Sequence, residues 1–211
     1  MKARLFIFIV LWTVALGLHC QVWQAVPLPD SVFLRMKGRS YGADCTVPRS
    51  ELRYLQVEHW DADGVSRVGE LVCNKAIAQD LLEIFRQLYD AKYPIGSIRL
   101  IDDFDASDEL SMTANNTSCF NFRFVTGTRK VSKHGLGMAI DINPLYNPYI
   151  RLRDGHVEPA AGRAFVQNRH RRTDIPMKID ANDLCCKLFK QYGFKWGGDW
   201  KSVKDYQHFE K

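Results

Sequence analysis

The sequence predicts an α+β fold: a single domain with a small antiparallel sheet and packed helices. Short stretches of alternating apolar and polar residues recur at 51–60, 66–73, 97–101, 119–125 and 137–143, and that is the period of half-buried strands. Two other stretches, beginning near residues 74 and 180, carry the 3.6-residue period of helices packed on one face. Composition agrees. The 211 residues, 46% hydrophobic and 25% charged, suit one hydrophobic core and exclude a disordered or fibrous chain. A chain of this length buries about 70% of its unfolded surface without needing a disulfide framework.

The chain opens with Lys2 and Arg4, followed by an apolar run from Leu5 to Leu18. A basic head on a short apolar stretch is the layout of a secretory signal. The run is shorter than the ~20 residues that cross a bilayer comfortably. Residues 1–17 are therefore expected to be a signal peptide, with Ala15 and Gly17 as the small residues of a cleavage site. An uncleaved membrane anchor that tethers the N-terminus is the alternative. His19 before Cys20 argues against lipidation. The expected location is outside the inner membrane, in the periplasm or cell envelope. Loss of Lys2 and Arg4 would lower the formal charge from +5 to +3 (27 basic against 24 acidic residues). Either value is too small to suggest a nucleic-acid partner.

Residues 18–50 carry Pro27, Pro29, Gly38, Gly42 and Pro48 and read as an irregular arm, leaving 51–211 as the folded domain. Strand 51–60 turns at Asp61–Gly64 and returns as 66–73. Asn74 is a good N-cap for a helix with Ile77, Leu81, Leu82, Ile84, Phe85, Leu88 and Tyr89 at helical spacing, stopped by Pro94 and Gly96. Residues 102–117 are polar and loop-like. Residues 144–175 have three prolines, two glycines and no clear period. So long a connection is expected to serve or cover a site. Its basic run at 169–172 reads as solvated. Asp180 is placed to cap the second helix, with Leu184, Leu188, Phe189 and Tyr192 on one face and Gly193 at its end. The six cysteines form no C-x-x-C pair, which speaks against a cysteine zinc site. Their spacing is equally compatible with one or two disulfides and with buried free thiols. Cys185 and Cys186 are adjacent, so only one is expected to face the core.

Two clusters carry chemistry. In the first, Met138, Ile140 and Ile142 alternate and can fill a core, which leaves Ala139, Asp141 and Asn143 on the other strand face. Asp141 among apolar neighbours is costly unless a cation relieves it. Gly135 and Gly137 let the chain bend so that His134 can meet Asp141. The second cluster, at the C-terminus, offers His208 as a third ligand. Two histidines and one carboxylate leave a fourth tetrahedral zinc position open to water. Hydrolysis also needs a base that is not a ligand. Asp205, three residues before His208, and Glu210, on the same strand face as His208, both qualify. Glu210 could instead orient a ligand.

The string Ser-x-His-x-x-Gly-x-Ala-x-Asp at 132–141, with Asp-x-x-His at 205–208, resembles the zinc D-alanyl-D-alanine carboxypeptidases and L-alanyl-D-glutamate peptidases of peptidoglycan. That group includes the vancomycin-resistance type D,D-carboxypeptidases and phage endolysins. The resemblance extends to residues 143–148 and 197–200 and covers roughly 97–211. It implies a hedgehog/D,D-peptidase-like scaffold and one zinc ion per chain held by His134, Asp141 and His208, with Asp205 as general base. It also implies an arginine near the scissile carbonyl, for which Arg123 is the best match. Ser132, Glu210 and Trp200 are expected at the substrate or around the ligands. The expected function is a secreted zinc metallopeptidase that hydrolyses an amide in peptidoglycan stem peptides, most simply a monomeric D-alanyl-D-alanine carboxypeptidase. An L-alanyl-D-glutamate-type endopeptidase and a non-catalytic binding or signalling module on the same scaffold are the alternatives.

Overall fold

A computed structural model describes residues 22–125 and 127–211. The expected leader at 1–17, its cleavage site and Cys20 lie outside the described residues. The fold is mixed α+β, built from several small sheets and helices. Strands β1 (Gln24–Pro27), β2 (Leu52–Trp60) and β3 (Ser66–Asn74) form one antiparallel sheet in that order. Helix α1 (Asp30–Met36) lies between β1 and β2 in the chain, and α2 (Ala78–Asp90) follows β3. Short strands β4 (Ser97–Ile98) and β5 (Asn116–Thr117) pair in parallel and flank helix α3 (Asp108–Thr113). The C-terminal half holds β6 (Ala139–Asp141), β7 (Tyr149–Arg151), β8 (His156–Glu158), α4 (Leu184–Gln191), β9 (Lys195–Trp196), β10 (Val203–Asp205) and β11 (His208–Glu210). These strands make two three-stranded antiparallel sheets, β6-β11-β9 and β10-β7-β8.

The core forms where apolar faces meet. Leu55, Val57, Leu71 and Cys73 on one face of the first sheet pack with the Ile77–Leu88 stripe of α2, with Ile140 and Ile142, and with Phe189 and Phe209. Leu52 and Val72 on the opposite face pack with Leu28, Val32, Met36, Phe120 and Phe122. That second cluster explains why part of the expected irregular arm is ordered. Val32 and Met36 recur at helical spacing and are buried, and β1 pairs along β2 from Gln24↔Gln56 to Pro27↔Arg53.

Several local expectations differ from the structure. Residues 102–117 contain α3, where Ser107 Oγ accepts from the Leu110 N–H at 3.3 Å and Asp108 and Glu109 occupy the first turn. Residues 119–125 do not run as a regular strand. Their backbone bonds in turn to Val72 O from Phe120, to His134 O from Asn121 and to Ser40 O from Phe122, three partners on three separate segments. The cap of α4 is Asp183, which accepts from the Cys185 N–H at 2.9 Å, rather than Asp180. Cys185 and Cys186 are both fully buried, because α4 is covered from two sides by the main core. Among the described residues, Cys45, Cys73, Cys119, Cys185 and Cys186 are free thiols. No described helix is long and apolar enough to cross a membrane.

The long connection after residue 143 is tied down by buried polar groups. Arg169, expected in a solvated run, is only 5% exposed. It donates to Tyr146 O, Asn147 Oδ1 and Ile179 O and stacks on the Tyr206 ring. Asn147 donates to Asn143 O and Met177 O, both at 2.9 Å. These bonds satisfy backbone groups that a buried loop would otherwise leave unpaired.

His59 on β2 is buried, and its Nδ1 has no partner. Burial lowers its pKa to about 4, with Asp61 opposing and Arg67 adding to the shift. The folded state therefore prefers the neutral ring. The stability this confers is complete above the unfolded value of about 6.5 and is lost as pH falls toward 4. Between pH 7 and pH 5 the loss from this one residue should be about 2 kcal/mol. Denaturant unfolding of the wild type and of His59→Gln at both pH values checks this. An equal loss in the variant would reject the assignment.

Candidate metal centre and active site

The pairing of β6 with β11 sets Asp141 directly opposite His208, and directly opposed residues have Cβ atoms about 4.5–5.5 Å apart. Alternation does the rest. Ile140 and Phe209 enter the core, so Asp141, His208 and Glu210 all turn to the other face. Asp141 is also bonded through its backbone to Ser118 in both directions. His134 arrives from a tight turn. Ser132 Oγ accepts from the Gly135 N–H at 2.9 Å, and Leu136 N bonds Ser132 O at 3.0 Å. Gly137 closes the turn at φ +68°, where a Cβ would stand 2.7 Å from Asn74 N, so glycine is required there.

The three side chains converge. His134 Nε2 is 3.2 Å from His208 Nδ1 and 3.3 Å from Asp141 Oδ1, and His208 Nδ1 is 3.1 Å from Asp141 Oδ1. A tetrahedral zinc with bonds of about 2.0–2.1 Å needs ligand atoms about 3.3 Å apart. The triangle therefore fits such an ion with little adjustment. The outer nitrogens are also held. His134 Nδ1 sits 2.7 Å from Cys119 O, and His208 Nε2 sits 3.3 Å from Glu210 Oε2. Both contacts fix ring orientation and the nitrogen left to bind a metal. Burial opposes charge on His208, but Asp141 and Glu210 outweigh it and push the imidazole up to about 10. Burial likewise disfavours charge on Asp141, yet the two histidines hold its carboxyl well below the usual range.

Asp205 ends β10, opposite Tyr149 of β7, which in turn lies opposite Glu158 of β8. It lines the same cavity as the three histidine and aspartate groups, a space of about 170 Å³ that Arg123, Asp108 and Gln207 also border. Its Oδ1 is buried without a partner. Burial pushes its pKa up to about 7, the Asp141 charge adds to this, and His208 and Gln207 oppose it. Arg123 is held from one side by Asp108, Nε to Oδ2 at 3.1 Å, while its Nη1 is buried and unpartnered. Ser132 is engaged in the His134 turn. The Trp200 ring stands 5.3 Å from that of His208. A larger cleft of about 530 Å³ shares Arg123, Asp108, Tyr149 and Glu158 with the cavity and extends to Phe124 and Arg151.

Every expected site residue is thus in or beside one cavity. Asp108, Tyr149, Glu158 and Gln207 also line the cavity, although no sequence signal marks them. The first lies in a stretch read as loop, and the next two lie in the aperiodic connection. Gln207 sits inside the recognised second cluster and was masked by its titratable neighbours.

Two buried histidines and four carboxylates, Asp108, Asp141, Glu158 and Asp205, line one cavity with Arg123, and His134, Asp141 and His208 are close enough together to hold a metal ion. Residues 126–211 match the family of D-alanyl-D-alanine carboxypeptidases. The match supports membership of the D,D-peptidase family over that part of the chain, and it spans His134, Asp141, Asp205 and His208 but not Arg123. No solved structure matches the chain.

Gly197 packs tightly against Asp205. A Cβ there would stand 2.6 Å from Asp205 O and 2.7 Å from Asp205 Cβ. Gly197→Ala should therefore displace the end of β10 and cost roughly 1–3 kcal/mol of stability. Chemical denaturation of the variant checks this, and an unchanged midpoint would show that the contact is not tight.

Proposed function

We propose that the protein is an exported zinc-dependent peptidase that acts on peptidoglycan stem peptides as a D-alanyl-D-alanine carboxypeptidase. One observation carries the reading: a triangle of His134 Nε2, His208 Nδ1 and Asp141 Oδ1 at zinc-ligand spacing shares its cavity with the unpartnered Asp205 Oδ1. The family match supports the peptidase part. The basic, then apolar, start of the sequence supports export.

Zinc held by these three residues would supply a Lewis acid and lower the pKa of a coordinated water toward ~7. The protein's own groups supply the rest. Asp205, with a pKa near 7, is suited to take a proton from water at neutral pH and to pass it to the leaving amine. Arg123 borders the cavity, and its guanidinium can stabilise negative charge as it develops on the substrate carbonyl oxygen. Asp108 keeps the guanidinium in place. Glu210 and the Cys119 carbonyl keep the two imidazoles turned toward the ion. A binding-only module on this scaffold would have no use for a buried, proton-accepting Asp205.

Purified full-length protein loaded with zinc should release the terminal D-alanine from stem peptides, as read by mass spectrometry of the products. Internal cleavage would instead assign an endopeptidase, and no product at all would overturn the reading. Asp205→Asn should lower kcat about 10²–10⁴-fold while retaining one zinc per chain by metal analysis. His134→Ala and His208→Ala should lose both zinc and activity. Glu210→Gln should weaken zinc binding about 10–100-fold in chelator competition. Unchanged affinity would remove Glu210 from the site.

A further inference from the structure

A buried cation is costly unless something compensates it. Arg169 is only 5% exposed, and none of its partners is a carboxylate. The guanidinium donates to Tyr146 O, Asn147 Oδ1 and Ile179 O and lies over the Tyr206 ring, 4.6 Å from its centroid. Burial lowers its pKa to about 10, with Tyr206 and Asp180 opposing the shift, so the group stays charged at neutral pH. Packing alone does not call for a cation here, since apolar side chains of similar volume fill buried space at least as well. What they cannot do is hold several oxygens and a ring face at fixed positions.

These contacts converge on one joint. Asp205 ends β10 in the sheet β10-β7-β8, whereas Asp141 and His208 belong to the sheet β6-β11-β9. The chain passes from Asp205 to His208 through Tyr206 and Gln207. The placement of the base relative to the candidate ligands therefore depends on how those two residues turn. Their backbone is fixed by the ligand-bearing side. Trp196 Nε1 of β9 donates to Tyr206 O at 2.9 Å, and Ile142 N, next after β6, donates to Gln207 O at 3.0 Å. The Tyr206 ring is held by Arg169. The same guanidinium holds Tyr146 and Asn147, which lead into β7, the strand whose Tyr149 lies opposite Asp205. One side chain thus ties the joint to the strand that pairs with the base.

We propose that Arg169 is a positioning residue for Asp205: stacked on Tyr206 and bonded to the chain entering β7, it sets where the base stands relative to the metal centre. It acts through Asp205 and not by contact with substrate. The assignment rests on the hydrolase reading above. Misplacement of a reacting group by about 1 Å can cost on the order of 10²-fold in rate, so a loosened joint shows in kcat.

The test uses full-length zinc-loaded protein and an N-acylated peptide ending in D-alanyl-D-alanine. Tyr206→Leu removes the ring face under the guanidinium and leaves the oxygen contacts of Arg169 in place. It should lower kcat about tenfold or more, with KM and zinc content unchanged. Tyr206→Phe, which keeps a ring face, should retain most of the rate that Tyr206→Leu loses. Arg169→Met should also lower kcat, and its loss should not add to that of Tyr206→Leu, because both break one contact. In an Asp205→Asn background, Tyr206→Leu should have no further effect on kcat. Thermal melts verify that the variants fold, and if Arg169→Met does not, the two Tyr206 variants decide. A second readout needs no turnover. A crystal structure of Tyr206→Leu should show the Asp205 carboxyl displaced by about 1 Å while His134, Asp141 and His208 superpose on the wild type. An unmoved Asp205, loss of zinc, or a kcat loss that persists in the Asp205→Asn background would overturn the assignment while leaving the hydrolase reading in place. Failure of the wild type to cleave the peptide would overturn the hydrolase reading, and the crystal structure would still decide whether Arg169 and Tyr206 place Asp205.

Discussion

The site depends on one strand register. Because Asp141 lies opposite His208 in the β6–β11 pair, two of the three candidate ligands are brought together by backbone hydrogen bonds. The same register places Ile140 opposite Phe209, and both are fully buried. A slip of one residue would drive Asp141 and His208 into the core and expose the two apolar side chains. Core packing thus enforces the geometry of the centre, and His134 needs only a short turn to complete it. Phe209 stacks on Phe189 of α4 with ring centroids 4.3 Å apart, so the register is also read by the helix beneath the sheet.

The price of such a centre is buried charge. Removing carboxylates and imidazoles from water is costly unless they are paired and hydrogen-bonded. Here each ligand has a partner on its far side. His134 bonds the Cys119 carbonyl, His208 bonds Glu210, and Asp141 is pinned through its backbone to Ser118. The surrounding loops follow from the same need. The connection after residue 143 can pass close to the site only because Arg169 and Asn147 satisfy its carbonyls. The stacking of Arg169 on Tyr206 joins that connection to the chain between Asp205 and His208.

The parts of this arrangement that were legible in the sequence are those with a strong local signal. Strand alternation at 138–142, the two glycines after His134 and the spacing of Asp205 to His208 all point to the centre. Helix α2 was legible from its apolar stripe. Less legible were features decided by tertiary context. Helix α3 is short and polar, and it is held by a cap and by burial of Ser111 and Met112. Cys186 is buried because α4 is covered on two sides, which helical periodicity cannot report. Arg169 belonged to a basic run, and only the fold shows that one member of the run turns inward. Asp108 and Gln207 carry no spacing signal at all, since their importance lies in what faces them across a cavity.

Two carboxylates in one cavity behave oppositely, and the difference is environmental. Asp141 stands within 3.1–3.3 Å of two imidazole nitrogens, so opposite charge overcomes burial and keeps it ionised. Asp205 lacks a cation at hydrogen-bond distance. Burial and the nearby Asp141 charge dominate, and its proton affinity rises toward neutrality. One carboxylate is thereby suited to hold a metal and the other to exchange a proton, a division of labour that residue type alone does not reveal. It follows that the two carboxylates are distinguished less by their motif than by whether an imidazole faces them.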